Sequence, residues 1–140
     1  MDAKAFVVTP KNYQRPLNVV GERITILASS QMTGGYEIFL QKGSEGSGPN
    51  PHSHPWDESF YVTKGEIDFG IGNETLLVHL PAGTTHWFRF GMGGGEMISV
   101  TSRAGASKLF AEIDQEVPAD RPDLEKLVEI SRRNDLKGPQ

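Results

Sequence analysis

From Arg23 onward the apolar residues fall in short runs, many alternating with polar ones, and each run is bounded by glycine, proline or asparagine. Alternation of this kind sends successive side chains to opposite faces, as in half-buried strands. The runs predict strands over Arg23–Ala28, Tyr36–Gln41, Ser59–Thr63, Glu66–Ile71, Thr75–Leu80, His86–Phe90, Met97–Thr101 and Lys108–Ile113. Gly72-Asn73 predicts a tight hairpin turn between two of them. Gly43 to Pro51 reads as a loop, and Gly91-Met92-Gly93-Gly94-Gly95 as a second, flexible connection. Phe6–Val8 is expected to form an edge strand that pairs with a second subunit, since a bare edge invites aggregation. After Pro118 the period changes. Leu124, Leu127, Val128 and Ile130 follow helical spacing, with Asp123 and Glu125 early and Arg132 and Arg133 late, as the helix dipole favours. Many short strands followed by one amphipathic helix, at about 121–135, describe a closed all-β sandwich or barrel with a helical flank.

Composition narrows the classes. The chain has 140 residues, enough for one domain spanning 1–140, with a barrel core expected at about 22–114. Sixteen glycines and nine prolines suit frequent turns. The net charge is −4 with both signs interspersed, so no basic footprint for nucleic acid is present. No apolar run approaches the roughly 20 residues that span a bilayer. The segment Met1-Asp2-Ala3-Lys4-Ala5-Phe6 lacks the layout of a signal peptide. Cysteine is absent, which excludes disulfides and thiolate chemistry and fits a cytoplasmic setting. Gly93-Gly94-Gly95 has no following Lys-Ser/Thr and is not a phosphate loop. Ser99 and Ser102 have no base nearby in the sequence pattern, so a serine hydrolase is not indicated.

The chemistry lies in two stretches. The first runs Gly46-x5-His52-x-His54-x3-Glu58-x6-Gly65, and the second Pro81-x-Gly83-x2-His86. Side chains two apart on a strand point the same way, so His52 and His54 share a face. Across a turn at Pro55-Trp56-Asp57, Glu58 can join them. With His86 these residues supply three imidazoles and one carboxylate, a complete nitrogen and oxygen shell for a divalent transition metal. By the same alternation Phe60 and Val62 turn inward with Glu58, and Phe88 and Phe90 with His86, giving an apolar wall suited to an organic ligand. His79 is expected at the surface or behind the ligands.

The two stretches resemble the paired motifs of the cupin superfamily, small β-barrel proteins whose metal sits inside the barrel. Gly46, His52, His54, Glu58 and Gly65 match the first motif at every defining position. The second matches at Pro81, Gly83 and His86 and departs at Thr75 and Phe90, where glycine and asparagine are usual. The resemblance implies a double-stranded β-helix, or jelly roll, with metal ligands His52, His54, Glu58 and His86. It also implies that Tyr36 and Phe39, on an early strand, contribute to the pocket wall, and that the barrels pair as homodimers. The tail after Phe110 loosely resembles small single-domain cupins of the quercetin-dioxygenase-like type.

One divalent metal is therefore expected, drawn from iron, nickel, manganese, cobalt, copper and zinc. Three histidines and a glutamate leave two positions open on an octahedral ion. The apolar wall favours a dioxygenase acting on an aromatic or enolisable substrate, with Glu58 as ligand and proton acceptor. Two alternatives stand beside it. One is a Lewis-acid isomerase, decarboxylase or lyase, and the other is a metal-containing cupin that binds a small molecule without turnover.

Overall fold

A computed structural model describes residues 4–70, 72, 74–103 and 105–138. Six antiparallel strands form one sheet: β1 (Leu17–Val19), β2 (Glu22–Ala28), β3 (Tyr36–Gly43), β4 (Glu58–Asp68), β5 (Leu77–Leu80) and β6 (Arg89–Ser102). Their order across the sheet is β1-β2-β3-β6-β4-β5, and the non-sequential neighbours give the jelly-roll path. A second wall is made by backbone pairing of irregular segments. His52 bridges His86, Phe90 exchanges hydrogen bonds with the Gly46-Ser47 turn, and Ser53 bridges Lys137 near the C-terminus. No described helix is long and apolar enough to cross a membrane.

Several expected strands fuse. Ser59–Thr63 and Glu66–Asp68 belong to one strand, β4, and the five-residue stretch Gly91–Gly95 lies inside β6 rather than in a flexible connection. Glycine here turns a strand instead of ending it. The β4–β6 ladder shifts register between Gly65 and Ile67, where Gly65 (φ 71°), Gly93 and Gly94 (both φ 79°) adopt left-handed conformations. A Cβ on Gly65 would lie 2.3 Å from the Gly94 carbonyl oxygen, so the two backbones touch at a barrel corner that only glycine permits. Ile71 and Asn73 lie outside the described residues, and with them the Gly72-Asn73 turn.

Lys108–Ile113 is not a strand. It is part of helix α2 (Ala106–Glu116), and a short α1 (Ser30–Thr33) and α3 (Leu124–Arg133) complete the helices. Ala106, Leu109, Ile113 and Val117 are the buried positions, spaced by three and four, so the helical period was in the sequence once Val117 is counted. Buried Glu37 on β3 ties two helix starts to the sheet. It accepts from the backbone of Ser30 (3.0 Å) and from the backbone and hydroxyl of Ser107 (3.0 and 2.6 Å), satisfying otherwise orphaned amides. Helix α3 begins at Leu124, inside the expected 121–135, with Asp123 capping the Lys126 amide. Phe6 and Val7 are exposed and lie in no strand, and the sheet edge is β1 instead.

Facing residues of an antiparallel ladder share a face. Glu22, Ile24, Phe39, Gln41, Met97, Ser99, Thr101, Glu58, Phe60 and Val62 therefore share the inner face of the sheet. Their apolar members, with residues from neighbouring segments, fall into two clusters. Phe60, Val62, Ile67, Phe88, Phe90 and Met97 pack together, while Ile24, Phe39 and Trp56 pack with α2 and α3.

Candidate metal centre

His52 and His54 are held side by side because the residues between strands alternate partners: His52 pairs its backbone with His86, and Ser53 pairs with Lys137. His54 and His86 are buried, and His52 is half-buried. One ring nitrogen from each of the three lies within 4.8 Å of the others. Glu58, first residue of β4 and buried, puts Oε1 3.0 Å from His54 Nε2 and 3.9 Å from His86 Nε2.

Each imidazole is oriented the same way. Nδ1 of His52, His54 and His86 meets the backbone carbonyl of Asn50 (2.8 Å), Trp56 (3.0 Å) and Thr84 (2.9 Å) respectively. A carbonyl only accepts, so each Nδ1 carries the proton and each Nε2 presents a lone pair. The lone pairs converge. His86 Nε2 is buried and has no hydrogen-bond partner, and His54 Nε2 faces a carboxylate oxygen, which is acceptor against acceptor. Only a proton or a cation makes that contact favourable. Burial pushes the His52 imidazole down to about 4, against the pull of the Asn50 carbonyl, and neighbouring His86 and His54 lower it further. His86 is lowered mainly by burial too, while Thr84 and Glu58 pull the other way. Protons are thus disfavoured at His52 and His86, and a metal ion drawing on all three nitrogens suits the set. Facing nitrogens on a metal with bonds of about 2.1 Å stand at most about 4.2 Å apart, so the set needs to close only slightly.

The surrounding residues are apolar on one side. Phe60 packs on Phe88 (ring centroids 5.4 Å apart), and Phe88 on Phe90 (5.8 Å). Val62 belongs to the same cluster. Phe39 shares the inner face but meets Phe110 edge-on at 5.1 Å in the helix-side cluster, one strand removed from Phe60. Tyr36 is 50% exposed, because its register with Ser102 puts it on the outer face. It is not an interior residue. His79 is also outside, hydrogen-bonded to Ser59 at 2.8 Å, and so is not behind the ligands.

Two features were not read from the sequence. Trp56, expected in a turn, is buried and stacks on His54 with centroids 4.3 Å apart and planes 9° apart, joining the histidine to the helix-side cluster. A polar row also crosses the inner face, where Ser99 Oγ donates to Gln41 Oε1 (2.6 Å) and Gln41 Nε2 donates to Glu22 Oε1 (2.8 Å). The alternation Glu22-x-Ile24 and Phe39-x-Gln41 carries a signal for it, since polar residues there fall in step with apolar inner-face positions.

Solved structures with the same architecture decide the fold. An RmlC-like cupin from Shewanella frigidimarina superposes with a TM-score of 0.61 at 15% identity, covering 77% of this chain and 99% of that one. The fold is that of the cupins. A sugar phosphate isomerase from a cupin superfamily, from Silicibacter pomeroyi, gives 0.59 at 18% identity over 71% and 76% of the two chains. The polyketide cyclase RemF from Streptomyces resistomycificus gives 0.58 at 16% over 71% and 80%. No family model and no curated sequence matches the chain. The three histidines lie on the second wall of the barrel, at and beside the bridge between His52 and His86.

Proposed function

We propose that this cupin is a metal-dependent enzyme that binds an enolisable small molecule directly at the three-histidine centre. The observation that carries this reading is the convergence of three Nε2 lone pairs beside a carboxylate, with every Nδ1 committed to a backbone carbonyl. A bound divalent ion would supply Lewis-acid charge there, with His52, His54, His86 and Glu58 holding it. Glu58, with Oε1 3.0 Å from His54 Nε2 and 3.9 Å from His86 Nε2, supports a reading as fourth ligand and as acceptor of a proton from a neighbouring carbon or hydroxyl. Phe60, Val62, Phe88 and Phe90 keep water from one side, which strengthens every electrostatic contact inside.

Those rings favour an aromatic substrate and the dioxygenase reading. The Glu22–Gln41–Ser99 row favours a second reading, proton transfer without oxygen, as in isomerisation, decarboxylation or elimination, because an apolar pocket alone has no use for a buried acid. The isomerase and the cyclase that share this fold are consistent with the second. A homodimer accords with the apolar outer face, where Tyr61, Leu77 and Val100 stand exposed, and sedimentation at twice 15.4 kDa is expected. The test is metal analysis of protein purified without an affinity tag, then turnover of a panel of keto, enol and catechol compounds under air and under argon. Turnover confined to air supports the dioxygenase, and turnover under argon supports proton transfer. Chelation of panel members without turnover would reduce the protein to a binding module, and absence of metal would refute the proposal.

A further inference from the structure

The inner face holds a second place with unmet polar chemistry. Glu22 is 6% exposed, Gln41 2% and Ser99 0%. Their hydrogen bonds run one way, from Ser99 through Gln41 to Glu22 Oε1, and among the described residues the other carboxyl oxygen takes none. Glu22 pairs with Gly43, the residue on which the Phe90 ring rests: a Cβ there would lie 2.2 Å from the ring. Phe90 in turn packs on Phe88, two residues from His86. Thr101, whose register partner is Glu58, also has a buried hydroxyl without a partner. A carboxyl held with one hydrogen bond in an apolar interior destabilises the fold relative to an apolar residue of the same shape. Glu22 is not a member of the converging nitrogen set, yet its carboxyl feels the charge of Glu58.

We infer that Glu22 is a second anchor for the ligand: its carboxyl, braced by Gln41 and Ser99, hydrogen-bonds a hydroxyl or carbonyl of the molecule whose other end lies at the histidines. This rests on the metal reading above and adds the ligand's chemical class. Burial first, and the charge of Glu58 as well, push Glu22 up to about 8 despite the Gln41 hydrogen bond, so the group is a neutral acid near neutrality, able to donate as well as accept. An anionic group at that end is disfavoured. Among the described residues no lysine or arginine is buried, so no protein cation stands beside Glu22 to receive a carboxylate or phosphate. The ligand is therefore a molecule with a chelating keto-enol end and, at its other end, an uncharged hydroxyl or carbonyl.

Two hydroxypyranones test this, because they share one chelating end. Kojic acid carries a hydroxymethyl group where allomaltol carries a methyl. Both are titrated into cobalt(II)-loaded protein, whose visible bands report chelation. The wild type is expected to prefer kojic acid about tenfold, the worth of one hydrogen bond from a buried polar group. Glu22→Gln keeps a donor and an acceptor and should retain most of the preference. Glu22→Leu, or Glu22→Met if the leucine variant folds poorly, should abolish it while cobalt content and allomaltol affinity stay unchanged. No preference in the wild type, or the same preference after Glu22→Leu, overturns the assignment of Glu22 alone. Cobalt that is not held, or chelation of neither compound, overturns the metal reading and this inference together.

Discussion

Replacing His86 by Gln separates the fold from the metal. His86 Nε2 is buried with no partner, and its Nδ1 donates to the Thr84 carbonyl at 2.9 Å. The amide side chain is of similar size and polarity, and the backbone pairing of residue 86 with His52 does not depend on the ring. Losing the Thr84 hydrogen bond costs about 1 kcal/mol, and removing one of three converging lone pairs returns part of that. The metal-free variant should therefore melt within about 3 °C of the metal-free wild type. Metal changes the comparison. An ion at a hundred to a thousand times its dissociation constant stabilises the native state by about 2.7 to 4.1 kcal/mol, or about 8–12 °C for a chain of this size. With one of three nitrogens gone that increment should fall by at least half. The assay is differential scanning calorimetry of chelator-treated wild type and His86→Gln, with and without zinc. An equal zinc-induced rise in both proteins would refute the ligand assignment of His86. A collapse of the metal-free variant would show that the His86 ring, and not only the packed interior, holds the barrel together.

Two further outcomes follow from the interior. Phe90 is 2% exposed, seated on Gly43 and against Phe88, so Phe90→Ala should cost about 3–5 kcal/mol in urea denaturation, and a cost under about 1 kcal/mol would mean that the neighbouring rings collapse into the space. Glu22, raised to about 8 by burial, binds a proton in the native state that the unfolded chain has already released, so stability is lost as pH climbs through that value. His52, lowered to about 4, acts on the other side of its ordinary range, losing stability only as pH falls below about 6.5. Between pH 6.5 and 8 the metal-free wild type should thus lose up to about 2 kcal/mol of unfolding free energy and Glu22→Gln should not. A flat wild-type profile would show that Glu22 ionises normally.

The strand-rich class and the candidate ligands were legible along the chain, because both rest on local periodicity. Alternation alone set Phe60, Val62, Phe88 and Phe90 inward, and the same two-residue period brought His52 beside His54. It also marked the C-terminal helix, through its dipole-matched charges and its three-and-four spacing. Tertiary structure decided what periodicity leaves open. Lys108–Ile113 alternates well enough to pass for a strand, but it becomes helix because Ala106, Leu109, Ile113 and Val117 find the helix-side cluster and Glu37 caps its first turn. Gly91–Gly95 continues a strand because a partner backbone at Gly65 needs glycine opposite it, a demand invisible within either segment. Tyr36 and Phe39 shared an expected role and parted because they are an odd number of residues apart, so one faces out and the other faces in. Glu22, Gln41 and Ser99 come from three strands, and their single hydrogen-bonded row exists only through the register that sets β2 against β3 and β3 against β6. The protonation pattern of the histidines was likewise beyond the sequence, since it depends on three backbone carbonyls placed by folding. Residue type and spacing fix which groups can share a face, while register and curvature fix which of those groups meet.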